Sequence, residues 1–141
     1  KALGTTARGT PVALNARLWD YGLLIPITGV VHHYFAGFGG GRKLLVPGAA
    51  GRPTILANHR LVFAGDRRAD GVGPGRLKGN PVAEDLAEAA RMLDVPVFLV
   101  AHIRGLDPGG FAGFWASAVS PRTNRITARS AASSVTRSRA S

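Results

Sequence analysis

The chain has 141 residues, 45% of them hydrophobic, no cysteine and a formal net charge of +10. This length allows one domain with a modest core, the cysteine count excludes disulfides and thiolate metal ligands, and no apolar run approaches the roughly 18 residues of a membrane span. The charge invites a nucleic-acid reading, but residues 121–141 hold Arg122, Arg125, Arg129, Arg137 and Arg139 and no acid, leaving thirteen basic and eight acidic residues, a net of +5, over the first 120.

The opening LGTTARGTPV reads as the middle of something longer, so a fragment is expected, with no signal peptide and a lean toward the cytoplasm. Thr10-Pro11 followed by VALNARLWDY predicts a helix, with Thr10 as cap and Pro11 in the first turn. GLLIPITGVV (22–31) reads as a buried strand of the parallel type, apolar on both faces and interrupted at Pro26. It delivers the chain to His32 and His33 at its carboxyl end, where open α/β sheets bind ligands.

A glycine-rich turn follows. A helical stretch near 42–46 breaks at Pro47-Gly48, and a second helix covers about 53–62. GDRRADGVGPGRLKG (65–79) has loop composition. Asn80-Pro81 is a helix start, with Asn as cap and Glu84 and Asp85 near the positive end of the dipole, and that helix runs to about Asp94. VPVFLVAHI is the next buried strand, and FAGFWASAV (111–119) a further strand or core segment.

This order implies an α/β fold, a parallel-type sheet flanked by helices. Residues 1–119 form one domain unit. From 120 to 141 the text turns to Ser, Arg, Ala and Thr with almost no large apolar side chain, which predicts a disordered basic tail. Such a composition is also what a GC-rich coding sequence yields out of frame.

The run HHYFAGFGGGRKLLVPG followed by TILANH carries the most chemistry. Gly37, Gly39, Gly40, Gly41 and Gly48 are concentrated where regular structure would penalise them by roughly 0.5–1 kcal/mol each, as in a loop that lets backbone N–H groups approach a phosphate. A Walker loop fails, because Lys43 follows Arg42 rather than Gly and Leu44 replaces the hydroxyl residue. The dinucleotide pattern G-x-G-x-x-G fails too: its last position falls on Arg42 or on Leu44.

The segment closely resembles the nickel-dependent lactate racemase family, whose pattern H-[YF]-F-A-G-F-[SG]-G-G-R-K…PG…TI…NH is met by His33 to Lys43, Pro47-Gly48, Thr54-Ile55 and Asn58-His59. The separations of 10 residues from His33 to Lys43 and 16 from Lys43 to His59 also fit, and the resemblance extends over about residues 2–115. It implies the partial N-terminal domain of a two-domain isomerase acting on 2-hydroxy acids.

The resemblance further implies a pyridinium mononucleotide pincer cofactor bearing thioamide and thiocarboxylate groups, tethered to Lys43. It implies nickel held by His59 together with the cofactor, and His33 as an acid/base. Hydride leaves the carbinol carbon while a histidine takes the hydroxyl proton, a transient 2-keto acid forms, and hydride returns to either face. Proteins that synthesise the cofactor are implied as transient partners. The partner catalytic histidine, the arginine for the substrate carboxylate and the family's C-terminal domain fall outside this sequence, so the chain alone is expected to be inactive.

Residue chemistry agrees with these roles. Imidazole titrates near neutrality and serves as a base or, when neutral, as a nickel ligand. Arg42 and the N–H groups of Gly39, Gly40 and Gly41 are physically suited to the cofactor phosphate. Taken without the resemblance, His33 and His59 would be read as satisfying local bonds and Lys43 as an ordinary helix lysine. His102 reads as structural, His32 as a tolerated substitution or second base, Trp19 and Trp115 as core aromatics, and Arg8 as an exposed loop arginine. A non-catalytic binding protein of the same fold is the alternative. A nucleic-acid module driven by the tail is the remote one and would require steep salt dependence.

Overall fold

A computed structural model describes residues 1–104, 111–120 and 123–131, with side chains described through His102. Strands β1 (Ala2–Thr5) and β2 (Pro11–Ala13) form an antiparallel pair that registers Thr5 with Pro11. The connecting turn is closed by Thr6 and Thr10: Thr6 N–H donates to the Thr10 carbonyl at 3.0 Å, and Thr10 N–H to Thr6 Oγ1 at 3.1 Å. The helix expected from Thr10 is therefore replaced by a strand and a short 3-10 helix at Ala16–Asp20, whose cap is Asn15. The local reason is that the Thr6 hydroxyl accepts the Thr10 N–H, so the backbone at Thr10 is satisfied inside the turn rather than at a helix start.

Strand β3 (Ile27–His33) is an inner strand of the larger sheet. It pairs antiparallel with β4 (Gly37–Gly39), joining His33 to Gly37 across a tight hairpin. After a 3-10 turn at Gly41–Leu44 come α1 (Arg52–Arg60), a small hairpin of β5 (Phe63–Ala64) and β6 (Arg67–Arg68), and α2 (Pro81–Arg91). Strand β7 (Val97–Arg104) then pairs parallel with β3, Ile27 opposite Val100.

Strands β8 (Phe111–Ser120) and β9 (Thr123–Ala131) add antiparallel neighbours, giving the order β4-β3-β7-β8-β9. The sheet is mixed, with one parallel pair, and corrects the expectation of a parallel-type sheet. Parallel pairing is confined to the β3–β7 crossover that spans the two helices, whereas the hairpin-connected strands run antiparallel. Within the stretch expected as a disordered tail, β9 pairs beside β8 over Thr123–Ala131. Residues 121–122 and 132–141, the rest of that expectation, lie outside the described residues, as does the side chain of Trp115.

The expectation that 22–31 is buried on both faces is also corrected. The strand begins only at Ile27, and Ile27 and Val31 are 73% and 58% exposed. The core lies instead between α2, β2 and the turn after β4. Val82, Leu86 and Ala89 of α2 meet Val12, Leu14, Phe35, Leu45 and Val46. No helix among the described residues is long and apolar enough to cross a membrane.

Polar groups lock this core. The Asp85 carboxyl, fully buried, accepts Thr6 Oγ1–H at 2.5 Å and Asn58 Nδ2–H at 2.8 Å. Asn58 also donates to the Val82 carbonyl at 3.2 Å. One turn earlier on α1, Thr54 Oγ1 donates to the Pro11 carbonyl at 2.7 Å and accepts Ala13 N–H at 3.0 Å. At the start of α2 the expected Asn80 cap is present, accepting Val82 and Ala83 N–H. Its amide also donates to the Phe35 carbonyl at 2.8 Å. Asp85→Ala strips two buried donors of their acceptor, so it should cost about 2–4 kcal/mol in urea denaturation of the chain.

Candidate functional site

Three basic side chains named by the sequence converge on one aromatic ring. Phe35, at the tip of the β3–β4 hairpin, is nearly buried. The His33 ring meets it edge-on with centroids 4.5 Å apart, and the His59 ring does so at 5.1 Å. Lys43 Nζ lies 5.7 Å from the same ring centroid. Tyr34 stacks on His33 at 4.9 Å and is exposed.

Each of the three is delivered by a different element. His33 ends β3, and strand alternation sends His32 to the other face, where it stacks on Phe38 at 5.3 Å. His32 is thus outside the cluster. Lys43 sits on the Gly41–Leu44 turn. His59 lies in the last turn of α1, whose Thr54 and Asn58 face the core, four residues apart on one stripe. That anchoring fixes the rotation of α1 and so the direction of His59.

The glycines are explained mainly by packing. Gly40 has φ of +77°, and a Cβ there would collide with the Gly29 carbonyl oxygen of β3. Gly37, at φ +80°, would collide with the Arg76 carbonyl oxygen. Gly39 lies in β4 and Gly41 opens the turn that carries Lys43. Arg42 is not brought to the cluster. Its guanidinium donates to the Ala83 carbonyl of α2 at 3.2 Å, in a cleft that none of His33, Lys43 and His59 lines. Arg8 pairs with Glu84 at 2.7 Å, and Trp19 packs at the core edge with Lys1 Nζ 4.1 Å from its ring. His102 is half-buried in β7, opposite Gly29 and Phe114.

Electrostatics push all three bases toward their neutral forms. His33 is lowered by burial first, then by the Lys43 and His59 charges. His59 is lowered by burial and then by Lys43. Lys43 is lowered by burial and then by Arg42. Ala36 N–H donates to His33 Nδ1 at 3.3 Å, which leaves the single proton of the neutral ring on Nε2. The cluster sets two imidazoles and an amine, each shifted toward its neutral form, against an apolar wall, an arrangement suited to holding a reactive group and moving a proton beside it. Phe35 was not singled out from sequence, although its place two residues after His33 in HHYF was a usable signal. The Thr6–Asp85–Asn58 network left no such mark.

The chain is similar to known proteins. The lactate racemase N-terminal domain family matches residues 1–71. A lactate racemase from Thermoanaerobacterium thermosaccharolyticum is 34% identical over 97 residues, covering 69% of this chain and 22% of the relative. One from Lactiplantibacillus plantarum is 33% identical over 114 residues, 79% of this chain and 26% of the relative. The chain thus spans about a quarter of the length of these curated relatives. The lactate racemase apoprotein structure from T. thermosaccharolyticum superposes with a TM-score of 0.70 at 28% identity, covering 82% of this chain and 27% of that one. A Thermotoga maritima protein of 19% identity shares the fold, with a TM-score of 0.64 over 84% of this chain and 32% of its own.

The depressed histidine values make a pH prediction with a definite sign. Both rings should titrate below 6.5 in histidine NMR spectra, and Lys43→Met, which removes a positive charge from both, should raise both midpoints. Between the lowered folded values and 6.5 the unfolded chain binds more protons, so stability rises with pH through that window, is lost on acidification across it, and levels off below the folded values.

Proposed function

The chain belongs to the lactate racemase N-terminal domain family, and from that premise we propose that it is the cofactor-carrying part of a nickel-dependent isomerase that racemises or epimerises lactate-like 2-hydroxy acids. The observation that carries this reading is the convergence of His33, Lys43 and His59 on Phe35, with all three bases held toward neutrality.

Lys43 is the proposed covalent tether for a pyridinium mononucleotide with sulfur donors. Its lowered pKa enlarges the unprotonated, nucleophilic fraction that acylation requires. His59 is the proposed nickel ligand, since burial and Lys43 favour the neutral imidazole a metal takes. Among the described residues no group of three or more His, Asp or Glu gathers. The donor set therefore fits a metal whose remaining ligands come with the cofactor. When bound, that group supplies hydride acceptance and return at the carbinol carbon. The Gly39–Gly41 backbone beside Lys43 is the proposed partner of its phosphate, while the guanidinium of Arg42 is directed elsewhere.

His33 handles the hydroxyl proton. In the direction of 2-keto acid reduction the ring acts as the imidazolium, giving its Nε2 proton to the oxygen and remaining neutral with its other proton on Nδ1. To take the proton in the opposite direction, the ring must hold its own proton on Nδ1, and the 3.3 Å contact from Ala36 N–H is long enough to yield. The apolar ring of Phe35 limits water at this face, which favours directed transfer over exchange with solvent. Cofactor-synthesis proteins are the proposed transient partners.

Co-production with those proteins should add a cofactor-sized mass to Lys43 and stoichiometric nickel to the chain. Lys43→Ala should lose the adduct, and His59→Ala should keep the adduct and lose nickel. His33→Ala should keep both and, in a longer protein carrying this sequence, lower kcat for 2-hydroxy-acid racemisation by about 10²–10⁴-fold. An unmodified Lys43 without nickel would overturn the reading.

A further inference from the structure

Arg42 follows the glycine turn but faces a second space, a solvent-open cleft of about 400 Å³ floored by Ala83 and Ala87 of α2. Arg8, Lys78 and Arg91 join Arg42 in its lining, together with the two carboxylates Glu84 and Glu88. Both carboxylates are already engaged. Glu84 accepts Gly79 N–H at 2.8 Å and the Arg8 guanidinium at 2.7 Å, and Glu88 accepts Ala7 N–H at 2.8 Å. Those bonds, with Gly79 the larger contributor and Arg8 next, hold Glu84 below the usual carboxylate range against the opposing effect of desolvation.

Arg42 and Arg91 have no such partner. Neither forms an ion pair among the described residues. The Nε of Arg42 is buried with no hydrogen-bond acceptor, and one carbonyl, that of Ala83, accounts for the guanidinium's bond at 3.2 Å. Burial and the nearby Arg91 charge both disfavour the Arg42 cation. A half-buried guanidinium beside a second guanidinium, with every local carboxylate engaged, is costly unless an anion completes it. Guanidinium forks match the paired oxygens of a phosphate, and a lysine at the rim adds a point charge.

We propose that this cleft is a phosphate-binding site, with Arg42 and Arg91 as the principal donors and Lys78 at its rim. The ligand is a phosphate group, carried by inorganic phosphate or by a small phosphomonoester that reaches the cleft from solvent. The site does not depend on modification of Lys43, since Lys43 lines no part of it. Through Arg42 it bears on the Gly41–Leu44 turn that also positions Lys43, so occupancy would steady that turn.

The test is calorimetric titration of the full chain with inorganic phosphate and, separately, with phenyl phosphate, in dilute chloride buffer. The variants are Arg91→Gln and Arg42→Lys, with Arg67→Gln, an exposed arginine outside the cleft, as the control for general charge; circular dichroism confirms that each is folded. Saturable one-to-one binding, weakened about tenfold or more in both cleft variants and unchanged in the control, is expected. Tighter binding of the ester identifies an organic phosphate as the source, and equal or tighter binding of the free ion identifies inorganic phosphate. No saturable binding, or binding that persists in Arg91→Gln and Arg42→Lys, overturns the proposal.

Discussion

The buried carboxyl of Asp85 joins three segments that have little else in common. It accepts from Thr6 in the turn after β1 and from Asn58 on α1, and is itself carried by α2. In a core built largely of valine, leucine and alanine, apolar packing is tolerant of small sliding and rotation. A carboxyl with two fixed donors is not, because any displacement leaves a polar group buried without a partner. The rotation of α1 is set by this constraint. Since His59 follows Asn58 directly, the direction of the imidazole toward Phe35 is set by the same bonds.

Around Phe35 the electrostatic logic is the reverse of an ion-pair network. Lys43, His33 and His59 share one neighbourhood in which burial disfavours each charged form first; the Lys43 charge adds to that at both histidines, and the Arg42 charge adds to it at Lys43. Two opposing influences act on His59. Its place in the last turn of α1 would favour a cation through the helix dipole, typically by 0.3–1 kcal/mol near a surface. Burial and the Lys43 charge outweigh that here, because the ring is lowered rather than raised. Both imidazoles are thereby shifted toward the form that binds a metal or takes a proton, and the Lys43 amine toward its nucleophilic form.

Much of this site was legible in the sequence, and the reasons differ from residue to residue. His33, Lys43 and His59 were readable because a long motif fixes their spacing, and the structure does gather them. Helices α1 and α2 were readable from Pro53, Asn80 and the apolar spacing, local signals that tertiary packing did not override. The helix expected after Thr10 failed because Pro11 and a capping threonine mark a strand start inside a threonine-closed turn equally well. The burial expected of 22–31 failed for another reason. Apolar composition says that a strand can be covered, whereas coverage depends on which layer α1 and α2 choose, and both pack toward β2. The mixed sheet was hidden for the same reason, since pairing direction is set by partners distant in sequence.

The separation of Arg42 from Lys43 follows from the same limit. Adjacent residues look like one basic unit in a sequence, and both were expected at the cofactor. The turn that carries them is a 3-10 helix, in which three residues complete a turn and neighbouring side chains diverge by about 120°. One cation is therefore delivered to the Phe35 face and the other toward α2. Gly40 makes that turn possible, since its positive φ and missing Cβ let the chain pass against the Gly29 carbonyl before the turn begins. The glycine-rich run thus acts first through backbone packing: it lays the turn against β3, and that placement lets two consecutive cations serve two different surfaces.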